Sequence, residues 1–203
     1  GGSNVNFNID MTLPFLIKNE TNLRLVHRID KSTSGILILA KTKDVAREIT
    51  YQFKSNIIMK KYWAVVLGKP KKNKGKVIIS LAKKKSAGLE KMVADPEGSN
   101  YAETFYKVLE SKKDLSLIEI LPKTGRKHQI RVHLQSIDIP ILGDNKYYIR
   151  DKKLHNIKSS NLHLHAKEIK FILNKKKYFF DAKLPRHFIN TMQLQGFNEK
   201  YYL

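Results

Sequence analysis

The stretch HRIDKSTSGILILA, residues 27–40, sets one aspartate between an arginine and a lysine and then runs into apolar residues. Its second half, GILILA (35–40), is short, continuous and rich in branched side chains, the pattern of a strand buried on both faces. The small residues of STSG permit a tight loop ahead of that strand, so Asp30 is held at the mouth of a buried element. Arg28 and Lys31 flank it and predict a carboxylate pKa below the ordinary value, because a nearby opposite charge favours the ionised form. On residue types alone, Asp30 is either a structural counter-ion for these two cations or a reactive carboxylate.

Outward from this stretch, KDVAREITYQFK (43–54) places Val45, Ile49 and Phe53 at i, i+4 and i+8, the stripe of an amphipathic helix. IIMKKYWAVVLGK (57–69) alternates, with Ile58, Lys60, Tyr62, Ala64 and Val66 on one face and Met59, Lys61, Trp63, Val65 and Leu67 on the other. KPKKNKGK (69–76) predicts a loop and KVIIS the start of a short strand. ETFYKVL (103–109) and LSLIEIL (115–121), joined by ESKKD, predict a hairpin. HQIRVHLQSI carries Ile130, Leu134 and Ile137 at helical spacing, PILGDNKYY (140–148) is rich in turn residues, and LHLHAKEIKFIL (162–173) and KKYFFDAKL (176–184) predict strands that close the chain. Many strands with few helices predict an α+β fold, a largely antiparallel mixed β-sheet with flanking helices. A length of 203 residues suits one domain.

Lys and Arg number 39 against 18 Asp and Glu, a formal net charge of +21. Such an excess repels itself and attracts polyanions. The cations are spread over many elements, not gathered on one amphipathic helix, which favours nucleic acid over a membrane surface. No apolar run approaches the ~20 residues of a membrane span. With no cysteine, disulfides, thiolate-bound metals and thiol nucleophiles are excluded. LGKPKKNKGK fails the Walker spacing, and Ser32 and Ser34 lack a G-x-S-x-G context. Among the histidines, His163 and His165 share a strand face, and His128 and His133 are poorly aligned on a helix. No carboxylates stand at ligand spacing, so hydrogen-bonding roles are expected and no metal. The opening GGSN lacks the apolar core of a signal peptide and resembles an added linker.

Two further segments bear on chemistry. In KKYWAVV, Tyr62 is either a core residue or a ring that stacks on a base, with a hydroxyl able to move a proton. In TGRKHQIRVHL, helical spacing puts Lys127 and Arg131 on one face next to His128. That face is either a phosphate-contacting surface or a solvated basic one.

Taken together, HRIDKSTSGILILAKT (27–42) resembles the signature H-R-L-D-x-x-T-S-G-L-L-L-x-A-K of the RluA family of pseudouridine synthases. KKYWAVVLG (60–68) resembles that family's K-x-Y-x-A-x-V-x-G, and PKTGRKHQIRVHL (122–134) its T-G-R-x-H-Q-I-R-V-H. PILGD with Tyr147 or Tyr148, and then LHLHA, are similar to its later blocks in the same order, so the resemblance covers about residues 24–182. Ile29 stands where the family has Leu. Neither the Lys-Pro strand that opens other members nor an S4 RNA-binding domain is visible in residues 1–23, which are expected to be a divergent or trimmed N-terminal segment.

The resemblance implies the pseudouridine synthase catalytic fold over a single domain, 1–203. It implies isomerisation of uridine to pseudouridine in structured RNA, ribosomal RNA first with tRNA left open, without cofactor, metal or energy source. It puts Asp30 at the catalytic aspartate position. Attack on the sugar C1′, removal of the C2′ proton and attack on uracil C6 stay open as its roles. Tyr62 falls at the tyrosine that stacks on the base and assists C5 deprotonation, and Arg131 at the arginine that pairs with the aspartate. Arg28 resembles the residue that fills the space of the extruded base. His27, Arg126, Lys127, His128 and Leu164, in the same motifs, are expected at the substrate. A monomer is expected, cytoplasmic in a bacterium and organellar or nuclear in a eukaryote. Two other readings compete. One is a non-catalytic RNA-binding or ribosome-associated protein. The other is a glycoside or nucleoside hydrolase, which needs a second facing carboxylate that the three motifs lack.

Overall fold

The computed structural model describes residues 23–86, 89–148 and 159–203, so the opening GGSN and the N-terminal segment up to residue 22 lie outside it. In chain order the elements are β1 (Arg24–Leu25), β2 (Ser34–Gly35), β3 (Leu39–Ala40), α1 (Lys43–Lys54), β4 (Met59–Leu67), β5 (Lys74–Ile78), β6 (Leu81–Ser86) and β7 (Leu89–Ala94). They continue with β8 (Glu103–Ser111), β9 (Leu115–Pro122), α2 (Gln129–Ser136), β10 (Leu164–Leu173), β11 (Lys176–Asp181), α3 (Arg186–Leu194) and a 3-10 turn (Glu199–Tyr201).

The main sheet runs β11-β10-β4-β9-β8-β5 with antiparallel neighbours throughout, and β2 adds in parallel to β10. This is the largely antiparallel mixed sheet expected. The alternation of β4 explains its layers. Ala64 and Val66 point into a core with Ile118 and Ile120 of β9 and with Ile130 and Leu134 of α2. Val65 and Leu67 point the other way, into a core with Leu115, Leu117, and Phe188 and Met192 of α3. Each fully buried Val or Leu contributes about 1.5–3 kcal/mol, so neither face can be turned to water. Helix α1, capped by Thr42 Oγ1 accepting from the Val45 N–H at 3.3 Å, packs Ile49 against Ile169 and Phe171 of β10.

Three expectations need correction. GILILA is not one strand buried on both faces. Gly35 lies at φ +104, and a Cβ there would stand 2.3 Å from the Ala166 carbonyl oxygen. The chain touches β10 at that glycine, turns off, and pairs Leu39–Ala40 with Arg24–Leu25 in a separate small sheet. Residues 36–39 are therefore only half-buried. Second, strands do not close the chain: Phe188 and Met192, at i and i+4, bury one face of α3 on the sheet. Third, β6 and β7 form a lysine-rich hairpin that the sequence reading passed over.

Candidate active site

Seven of the residues singled out above, His27, Arg28, Asp30, Tyr62, Arg126, Lys127 and Leu164, line one cleft of about 600 Å³; Arg131 and His128 are not in its lining, and Arg131 lines a neighbouring cleft. Leu164, opposite Ala64 in the sheet, forms apolar floor beside Tyr62. The bend that carries Arg126 and Lys127 is fixed by one buried amide. Gln129 Oε1 accepts from Thr124 Oγ1 at 2.7 Å and from the Arg126 N–H at 3.0 Å, while its Nε2 donates to Thr104 Oγ1 and the Glu103 carbonyl, both at 2.9 Å.

Helix α2 begins only after His128, which sits in the left-handed region at φ 54. Lys127 is consequently outside the helix and does not share a face with Arg131. Its ammonium pairs with Glu90 at 2.7 Å.

Burial raises the Asp30 pKa, against the opposing pulls of Arg131, the His128 backbone N–H, Arg28 and Lys127. The expected lowering is thus overturned, because desolvation of a carboxylate in this wall outweighs charges that act through space. Lys31 is exposed, and the cations that act on Asp30 most are the other three. Burial, followed by the charge of Asp30, pushes the Tyr62 phenol up to about 12. Tyr62 and Asp30 are therefore electrostatic neighbours within one pocket.

Arg131 was expected to pair with Asp30. Its hydrogen bonds go elsewhere: Nε and Nη2 donate to the two oxygens of Asp144, each at 2.7 Å. Asp144 also accepts the N–H groups of Lys146 and Tyr147, both at 3.0 Å. Burial pulls the guanidinium down, but the Asp144 hydrogen bonds and charge raise it overall. Arg131 thus reaches Asp30 by charge alone.

Of the two tyrosines after PILGD, Tyr147 is buried and Tyr148 exposed. The Tyr147 hydroxyl accepts the Met92 N–H at 3.1 Å and lies 2.7 Å from His128 Nδ1. That geometry is satisfied when the phenol donates to an unprotonated nitrogen. Accordingly burial, reinforced by Arg131 and nearby lysines, lowers His128 to about 4.

His27 lines the cleft with a committed ring, stacked on Phe53 at 4.3 Å and accepting the Ile38 N–H at 2.8 Å. Burial lowers it to about 4. The other described histidines are hydrogen-bonded too: His133 to Thr104 Oγ1 and the Ile79 carbonyl, His163 to Thr191 Oγ1, His165 to Ser34 Oγ and His187 to the Leu162 carbonyl. Among the described residues no three His, Cys, Asp or Glu side chains converge.

The sequence reading gave no role to Asp144, Gln129, Lys60 or Thr33. Lys60 is pushed down by burial, lines the cleft and has no carboxylate partner among the described residues. Thr33 Oγ1 is buried there without a hydrogen-bond partner among the described residues. Lys60 could have been found, since it lies on the Tyr62 face of β4, two residues before it.

Comparison with known proteins supplies the family. The model of RNA pseudouridylate synthases matches residues 7–136. Ribosomal large subunit pseudouridine synthase C of Rickettsia typhi is 38% identical over 195 residues, 95% of this chain and 63% of that protein. Human mitochondrial pseudouridylate synthase RPUSD4 is 33% identical over 237 residues, 95% of this chain and 62% of that protein. The solved structure of human RNA pseudouridylate synthase domain containing 4 superposes with a TM-score of 0.77 at 32% identity, over 93% of this chain and 84% of that one. The chain thus spans a little under two thirds of the length of these curated relatives. It belongs to the RNA pseudouridylate synthase family.

Proposed function

We propose that the protein isomerises uridine to pseudouridine in structured RNA, ribosomal RNA first among the candidates, as a monomer and without cofactor or metal. The observation that carries this is the placing of Asp30: a half-buried carboxylate in the wall of a cleft, beside the Tyr62 phenol and among cations that favour its charged form. The reaction breaks the bond from uracil N1 to C1′, turns the base, and joins C5 to C1′. Ionised Asp30 either attacks C1′ or takes the C2′ proton. The Tyr62 ring stacks on the uracil, and its neutral hydroxyl takes the C5 proton as it passes its own to water. Arg28 fills the space the base leaves.

A paired uridine reaches Asp30 only by flipping out, which costs a few kcal/mol. Phosphate contacts made by a chain of net charge +21 offset that cost. Ribosomal RNA is favoured because the Rickettsia relative is named for the large ribosomal subunit. The compartment follows the source: cytoplasm in a bacterium, organelle or nucleus in a eukaryote. No described helix is long and apolar enough to cross a membrane.

Mapping pseudouridine chemically in RNA from cells with and without the gene identifies the site. Tritium release from [5-³H]uridine in that RNA, by the purified protein, then tests the chemistry. RNA binding without release would favour the non-catalytic reading instead.

A further inference from the structure

The loop that presents Asp30 is a partition with a cleft on each side. It closes by the Thr33 N–H donating to the Asp30 carbonyl at 3.0 Å, with Ser32 at φ 72. Asp30 and Thr33 line the cleft that holds Tyr62. Lys31 and Ser32 line a second cleft of about 460 Å³, whose far wall carries Lys91 of β7 and Lys146.

The charges of this second cleft do not cancel. Its carboxylate, Glu90, is already held by Lys83 and Lys127. Asp144, behind it, is taken by Arg131. Lys146 Nζ donates to the Glu90 carbonyl, which neutralises no charge. Lys91 Nζ lies 4.9 Å from the centre of the Tyr147 ring, with no anionic partner among the described residues. Lys31 has no anionic partner among the described residues. Lys31, Lys91 and Lys146 therefore line one small cleft together with uncharged Ser32, Asn145 and Ser160, while Glu90 and Arg131, which also line it, are already paired. A phosphodiester, singly negative and rich in acceptors, matches that set of donors.

We infer that the second cleft binds a backbone phosphate next to the uridine being modified. This rests on the proposed reading of the Asp30 cleft as the site of the flipped base. Lys31 and Ser32 directly follow Asp30 in the chain, so a nucleotide with its sugar at Asp30 has the second cleft within reach of a flanking phosphate.

The test is a double-mutant cycle on an oligoribonucleotide spanning the mapped uridine. The phosphate 5′ or 3′ to that uridine is replaced singly by a neutral methylphosphonate. Affinities are measured by filter binding for the parent, Lys31→Ala and Lys91→Ala, of which the first alters only an exposed turn residue. At one of the two positions the neutral linkage should weaken the parent about tenfold, the worth of one charge-assisted contact. Each variant should be weaker on natural RNA and lose little more with that linkage. Losses that multiply independently at both positions, or no loss from either change, would overturn the subsite. Turnover of the unmodified RNA by the parent is measured alongside. If it is present without coupling, only the phosphate subsite falls; if it is absent, the functional reading falls as well.

Discussion

Two aspartates are served by one arginine, and the protein treats them differently. Asp144 takes both arms of the Arg131 fork and two backbone N–H groups as well, and its side chain is sealed from solvent. Asp30 receives the pull of the His128 backbone N–H and, beyond that, charge acting through space from Arg131, Arg28 and Lys127. A carboxylate whose acceptor positions are filled is a strut. One that is half-buried, raised in pKa and accepts no side-chain hydrogen bond among the described residues has acceptor positions that a substrate can use. The two turns thus divide the work, Asp144 fixing the arginine and Asp30 using its field.

The largest effect that follows is on Asp30→Asn. Turnover should fall by at least about 10⁴-fold, the upper end for a proton-transfer group, while RNA affinity holds or rises as a like charge is lost. Stability should move the opposite way from activity. Because the folded-state pKa is raised, the fold favours the protonated form; that contribution is full below the unfolded value and is lost as pH rises through the folded one. At neutral pH the ionised carboxylate is therefore a burden, and Asn should raise Tm by about 2–4 °C for each kcal/mol relieved. Tritium release, filter binding and calorimetry check the three parts. A lower Tm would mean that Asp30 is a structural counter-ion after all.

Asp144→Asn should do the reverse. It strands a buried guanidinium, a loss of about 3–5 kcal/mol, read as a lower urea midpoint at unchanged m-value. A cost under about 1 kcal/mol would show that Asp144 is no strut and would erase the distinction between the two turns.

How much of this was open to a reader of the sequence depends on how local the cause is. The alternation in β4 and the stripe of α1 were legible because period and burial are written in neighbouring residues. GILILA misled because its break is set by the Ala166 carbonyl approaching Gly35 from a strand 131 residues further on. Lys127 was misplaced by one residue of left-handed backbone at His128, which no helical period reveals. The motif positions of Asp30, Tyr62 and Leu164 led to one cleft, but the partner of Arg131 could not be read, since spacing names a residue and not whom it faces. The α3 helix was legible and overlooked: Phe188 and Met192 at i, i+4, with Pro185 before and Gly196 after, are ordinary helix signals.

A smaller effect tests whether Tyr62 belongs with Asp30 or with the packing. Tyr62→Phe keeps the ring and removes a hydroxyl that no described residue holds by a hydrogen bond. Turnover should fall about 10²-fold with the urea midpoint unchanged. A rate within twofold of the parent would make Tyr62 a wall of the cleft and no more.

The smallest effect separates through-space support from hydrogen-bonded support. Lys127→Ala removes one of the charges acting on Asp30, so the acid limb of the turnover profile should move to higher pH, because the carboxylate then ionises less readily. Added salt should move that limb the same way in the parent, since the exposed Lys127 and Arg28 are screened by mobile ions. The Asp144–Arg131 pair is buried and hydrogen-bonded, so the stability it confers should hardly respond to the same salt. Lys127→Ala should also flatten the log–log dependence of RNA affinity on salt by at most about 0.7, one phosphate's worth on single-stranded RNA. The change should fall short of that value, because Glu90 already shares the ammonium. Lys61→Ala is the control: it lies on the opposite face of β4, held by Glu119 and Glu168, and should leave the acid limb where it is. If both lysine variants shift the limb equally, the charge that steadies Asp30 is that of the whole molecule, and its three named cations have no special place.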